Sequence, residues 1–138
     1  MTFLNKYFFI ILLGFIISIF IAVYINGIYE MKNIKNNAKF TVANIVSDWH
    51  YTNTKGGPGT DIVYWVKNKK IEGICEYNLR KGTKYLVMYD SLKPYHFLLL
   101  GHHQLPDSIK SPKNGWKFSQ VPISIDSIQI KEYVEKYK

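Results

Sequence analysis

Three things are scarce in this chain. It has one cysteine, Cys75, one arginine, Arg80, and 10 acidic residues against 18 lysines and arginines, for a formal net charge of +8. A lone cysteine excludes an internal disulfide and a CxxC zinc or redox pair, and it carries no compartment signal. A lone arginine removes the side chain best shaped for bidentate recognition of phosphate or guanine. The basic balance therefore rests on lysine, a hydrated point charge. A solvated basic surface resting near anionic headgroups accounts for it, and nucleic acid is the less favoured partner.

Charge is also missing from one long stretch. Residues 7–25, "YFFIILLGFIISIFIAVYI", hold no charged side chain and only Ser18 as a conventional polar one. As a helix this run would be roughly 28 Å long, close to the ~30 Å hydrocarbon core of a bilayer. It is apolar around its whole circumference, unlike a soluble amphipathic helix. The run exceeds a secretory h-region, and "YINGIYEM" offers no small-residue cleavage site, so an uncleaved anchor is expected, contacting membrane lipid through residues 7–25. Lys6 precedes the run, while Lys32, Lys35 and Lys39 follow it. That count leans toward a cytoplasmic domain, yet exported domains use the same arrangement, so the side of the membrane stays open.

Catalytic and metal-binding patterns are scarce as well. His102 and His103 are adjacent, so on a strand their rings point to opposite faces, and His96 and His50 lie apart from them. "TKGGPGT" leads into a strand-like run rather than a helix, and Pro58 lacks an N–H, which favours a flexible hairpin loop over a phosphate-binding P-loop. No serine sits in a G-x-S-x-G turn. Cys75 falls on the dry face of a strand, where burial makes a thiol inert. No metal, cofactor or catalytic residue is expected. An envelope enzyme whose residues meet only in space would need a pocket holding two or more ionisable groups.

What is present is a series of short β-like runs. The organisation expected is an anchor at 1–29, a polar spacer at 30–39, a β-domain at 40–101, a wrapping extension at 102–125 and a C-terminal helix at 126–138. "FTVANIVSDWHY" opens the domain, followed by the loop "TNTKGGPGT". "DIVYWVK" and "IEGICEYN" flank a tight hairpin near Asn68. "LRKGTK" turns at Gly82. "YLVMYD" is apolar on both faces, as befits a strand in the middle of a sheet. Asp90 ends it, "SLKP" turns the chain, and "YHFLLLG" returns. Five such strands suit a small closed or half-closed barrel of SH3 or OB type, giving a mainly β fold. Trp116 is expected to plug into that barrel. In the last segment Asp126 is a plausible N-cap, and Ile130, Tyr133, Val134 and Tyr137 form an apolar stripe that should dock on the sheet.

The aromatics Trp49, Tyr51, Tyr64, Trp65, Tyr77, Tyr85 and Tyr89 read first as barrel filling and second as a stacking platform. The loop Lys55, Gly56, Gly57, Pro58, Gly59 and Thr60 is the expected contact point for an unidentified protein partner.

"GTKYLVMYDSLKP" resembles the G-x-x-Y-x-V-x-Y-D-x-x-x-P signature of small bacterial, Bacteroidetes-type, membrane-anchored β-domains of unknown function. "YWVKNKKIEG" looks like their Y-x-V-N-G-K-x-Y-x-G hairpin, and "LPDSI" with "GW" like a recurrent tail. The resemblance covers residues 40–116, with the anchor matched by position, and implies an anchored small β-domain; no functional residue carries over from it. The chain departs from the pattern at Lys69, where relatives favour glycine; a positive φ there would cost about 1 kcal/mol. A non-enzymatic interaction module at the membrane surface is the expectation, with a polyanion-binding barrel as the alternative.

Overall fold

The computed structural model describes residues 3–51 and 57–136. Helix α1 (Phe3–Asn36) carries the apolar run and continues past it. Through residue 25 its described side chains lie open to the surroundings, with Phe9, Phe20 and Val23 among the most exposed. By length and composition this helix can cross a membrane. Residues 30–36, expected as an irregular spacer, are its last two turns. Their reason for staying helical is tertiary: Ile34 is 3% exposed and Met31 half-buried, both packed on the sheet. Only Asn37 separates α1 from β1 (Ala38–Ile45).

The sheet has five antiparallel strands in the order β3-β2-β1-β4-β5, with β2 at Thr60–Val66, β3 at Lys69–Cys75, β4 at Lys84–Asp90 and β5 at Phe97–Leu105. The β2–β3 hairpin turns on Lys67 and Asn68, with φ of 50° and 66°. Two consecutive positive φ angles make a type I′ turn, whose twist matches the flanking strands. The left-handed positions are thus Lys67 and Asn68; Lys69 is already in β3, paired with Val66. Gly82, at φ 87°, turns the chain into β4 and donates its N–H to the Ile45 carbonyl. At the other end of β4, the buried Asp90 carboxylate accepts the Leu92 N–H at 2.9 Å, a local Asx turn. β5 runs on to Leu105, past the expected end of the domain at 101, and takes in His102 and His103. Three residues, 101–103, bulge out between the pairs Leu86–Leu100 and Tyr85–Gln104.

β4 is buried on both faces, as its composition requires. One face gathers Ala43, Ile45, Ile62, Tyr64, Ile71, Cys75, Val87, Tyr89 and Leu99 in the hollow of the curled sheet. The other gathers Phe40, Val42, Leu86, Met88, Leu98 and Leu100 beneath α1 and the tail. The expected barrel is not closed by hydrogen bonds: β3 and β5 remain the two edges of the ladder. Side chains bring those edges together instead. The Phe97 ring on β5 occupies the space that a Cβ at Gly73 on β3 would need. Phe97 also meets Tyr64 edge-on at 5.6 Å.

The tail covers what the sheet leaves open. β2 pairs with β1 only at residues 43–45, so the edge of β1 at Phe40 lacks a strand partner. Trp116 fills that place, exchanging backbone hydrogen bonds with Phe40 at 2.9 and 2.7 Å. Its indole packs against the outer cluster and does not enter the curled interior, which Tyr64 and Tyr89 already fill. Helix α2 (Ser127–Lys136) begins at Asp126, whose carboxylate caps the Ile128 N–H at 2.9 Å. Tyr133 and Val134 are buried against the sheet. Burial of this kind is worth roughly 1.5–3 kcal/mol per large side chain, which makes so short a helix stable. Tyr137, the end of the expected stripe, lies outside the described residues.

Candidate interaction site

The connection between β1 and β2 is the longest in the sheet, and its base is pinned. His50 and Gly59 exchange backbone N–H···O bonds, each 2.9 Å, so the loop has a neck. Ser47 Oγ accepts the Asp61 N–H at 2.9 Å and lies 3.3 Å from His50 Nδ1. His50 Nε2 lies 3.6 Å from an Asp61 carboxylate oxygen. Asp48 accepts the Lys81 N–H at 3.1 Å, tying the neck to the β3–β4 turn. Sequence distance hid this cluster; only the β1–β2 pairing brings Asp61 beside Ser47 and His50.

A serine, histidine and aspartate in a row suggest nucleophilic catalysis, but the hydrogen bonding argues for a clasp. The Asp48 carbonyl oxygen also sits 3.1 Å from His50 Nδ1. A carbonyl can only accept, so Nδ1 makes that bond only in the tautomer that protonates it, and in that tautomer it cannot take a proton from Ser47. The three side chains hold the loop closed.

The expected contact residues divide at this neck. Lys55 and Gly56 lie outside the described residues. Gly57 has φ 68° and is half-buried, and Pro58 is exposed. Gly59 is buried, and a Cβ there would meet the Cys75 carbonyl and an Ile74 methyl. Thr60 is fully buried; its hydroxyl donates to the Tyr77 carbonyl at 2.7 Å and accepts the Leu79 N–H at 3.4 Å. Gly59 and Thr60 therefore build the neck and offer no face to a partner. Behind them Cys75 sits in the core, where burial pushes its thiol pKa up.

Two aromatics expected first as barrel filling face outward beside the neck instead. Trp49 is 45% and Tyr51 73% exposed. A groove of about 730 Å³ runs over the β2–β3 hairpin as far as Phe97 of β5, lined by Val46, Asp61, Val63, Lys70, Glu72 and Ile74 among others. Lys70 and Glu72 pair there at 2.5 Å. Trp65, on the same strand face as Asp61 and Val63, is 40% exposed. The aromatic set thus splits: Tyr64, Tyr85 and Tyr89 are core, Tyr77 is half-buried, and Trp49, Tyr51 and Trp65 face outward.

The other three histidines do not line this groove. His102 and His103 both approach the Tyr133 ring, with centroids 5.9 and 6.2 Å away, and burial followed by the charge of His102 pushes the His103 pKa down. His96 lies 3.6 Å from Glu30 of α1. Among the described residues no three metal-ligating side chains converge. The fold and site define a helix-bearing small β-domain with a groove over its β2–β3 hairpin and exposed aromatics at the base of its β1–β2 loop. Comparison with protein-family models, curated proteins and solved structures found no match.

Proposed function

We propose that the protein is a single-pass membrane-anchored interaction module, non-enzymatic, that meets a protein partner through the β1–β2 loop and the adjoining groove. The observation that carries this reading is the pair of exposed aromatics on a pinned neck. Tryptophan and tyrosine dominate binding hot spots because they bring large apolar area at low conformational cost. Here Trp49 and Tyr51 stand beside a clasp of Ser47, His50 and Asp61 that holds the loop base still.

The groove does hold several ionisable groups, the condition set for an enzyme. Lys70 and Glu72 neutralise each other, and Asp61 faces His50, so each has a local partner. Acidic groups beside the lysine also make the groove a poor match for a polyanion.

The test is site-specific photo-crosslinking in native membranes. A crosslinker at Tyr51 should trap a partner, and Trp49→Ala should abolish the adduct. A crosslinker at Leu92, exposed on the β4–β5 turn, should not trap it. Identical adducts from both positions, or no dependence on Trp49, overturn the proposal.

A further inference from the structure

Helix α2 lies beside the end of α1 and points back toward the apolar run. Ser127 and Ile130 share a cavity with Phe40 and Phe118, at the sheet end of α1. Farther along, Lys131 and Val134 face Ile28, Met31, Lys32 and Lys35 across a separate cleft of about 200 Å³. The floor of this cleft is apolar and its rim is lysine. Its one acid, Glu135, lies 3.9 Å from Lys131. Among the described residues neither Lys32 nor Lys35 has an ion-pair partner.

The height of the cleft matters as much as its charge. Along α1, Ile28, Lys32 and Lys35 follow Ile25 by about 4.5, 10 and 15 Å. The headgroup layer extends some 5–7 Å beyond the hydrocarbon on each side, and lysine stems bend toward it. The exposed rings of Tyr24 and Tyr29 bracket the same level, where interfacial aromatics gather.

We propose that the α1–α2 cleft binds the headgroup of an anionic phospholipid from the bilayer that α1 crosses. The floor of Ile28, Met31 and Val134 takes the apolar shoulder of the lipid, and Lys32, Lys35 and Lys131 take the phosphate. A lipid reaches this cleft without leaving the membrane, whereas a nucleic acid would have to lie flat on the bilayer. The proposal rests on the reading of α1 as an anchor, and its test separates the two.

The full chain is placed in nanodiscs of phosphatidylcholine with a minority of phosphatidylglycerol, and lipids retained on release are counted by native mass spectrometry. Phosphatidylglycerol should be enriched over its share of the disc. Lys32→Gln and Lys131→Gln should each lower that enrichment about fivefold, the effect of one lysine near an anionic surface. Both lysines are exposed, so neither change disturbs the core, and Lys70→Gln in the distant groove serves as a control that should change nothing. Failure to insert even into neutral discs overturns the anchor reading. Insertion with unenriched phosphatidylglycerol, or enrichment indifferent to both substitutions, overturns the lipid site alone. Displacement of the bound lipid by inorganic phosphate would assign the cleft to a free anion and overturn it too.

Discussion

Gly73→Ala tests how the sheet is sealed. The added methyl would fall on the outer edge of the Phe97 ring, far inside contact distance, so the ring must move. Inward movement is blocked by Tyr64, 5.6 Å away, whose own hydroxyl is held by the Pro94 carbonyl. The ring must therefore swing outward and uncover the interior. Overpacking typically costs about 1–3 kcal/mol. For a head of this size each kcal/mol lowers the melting temperature by roughly 4–8 °C, so a fall of about 5–20 °C is expected. The assay is thermal unfolding of the full chain in detergent, followed by the near-ultraviolet circular dichroism of the buried tyrosines. Phe97→Leu, too short to reach Gly73, should cost stability alone yet relieve the alanine, giving a coupling of about 0.5–3 kcal/mol in the double-mutant cycle. A neutral Gly73→Ala, or two effects that simply add, would refute side-chain sealing of the β3 and β5 edges.

Three further outcomes follow from local chemistry. Lys67→Asn with Asn68→Gly fits the type I′ turn better and should raise stability by about 0.5–1 kcal/mol, read as a higher melting temperature. Thr41 is fully buried and its hydroxyl has no hydrogen-bond partner among the described residues, so Thr41→Val should be neutral or stabilising by up to about 1 kcal/mol, and a clear loss in the same melt would show that the hydroxyl has a role. Cys75 has its thiol pKa raised by burial, so the fold favours the neutral form. Its contribution to stability is complete below the ordinary thiol pKa of about 8.5 and is lost as pH rises through the higher folded value. Cys75→Ala should flatten that alkaline decline in a urea titration, and a disulfide reagent should label the native thiol far more slowly than the unfolded one.

Much of the fold was legible because its signals are local. The unbroken apolar run, the two-faced "YLVMYD" strand, Gly82, Asp90 and the Asp126 cap each act within a few residues of themselves. Partnership across the sheet was not legible. Residues 30–36 read as spacer because Met31 and Ile34 earn their helical state only by packing on distant strands. Trp116 read as a plug because its size asks for burial, while its actual place follows from β2 leaving β1 at Ala43. The loop "KGGPGT" was the visible part of the candidate site, but Gly59 and Thr60 turned out to be its foundation. The clasp of Ser47, His50 and Asp61 and the groove beside it depend on strand register, which no single segment encodes.

The joint at Asn37 has a practical consequence for anyone who wishes to study the head in water. Because Ile34 belongs to its interior, cutting the chain immediately before β1 would strip the lid from Phe40 and Met88 and leave a sticky wound. A shorter trim, starting near Glu30, would discard the greasy stem while keeping Ile34 over that face of the sheet.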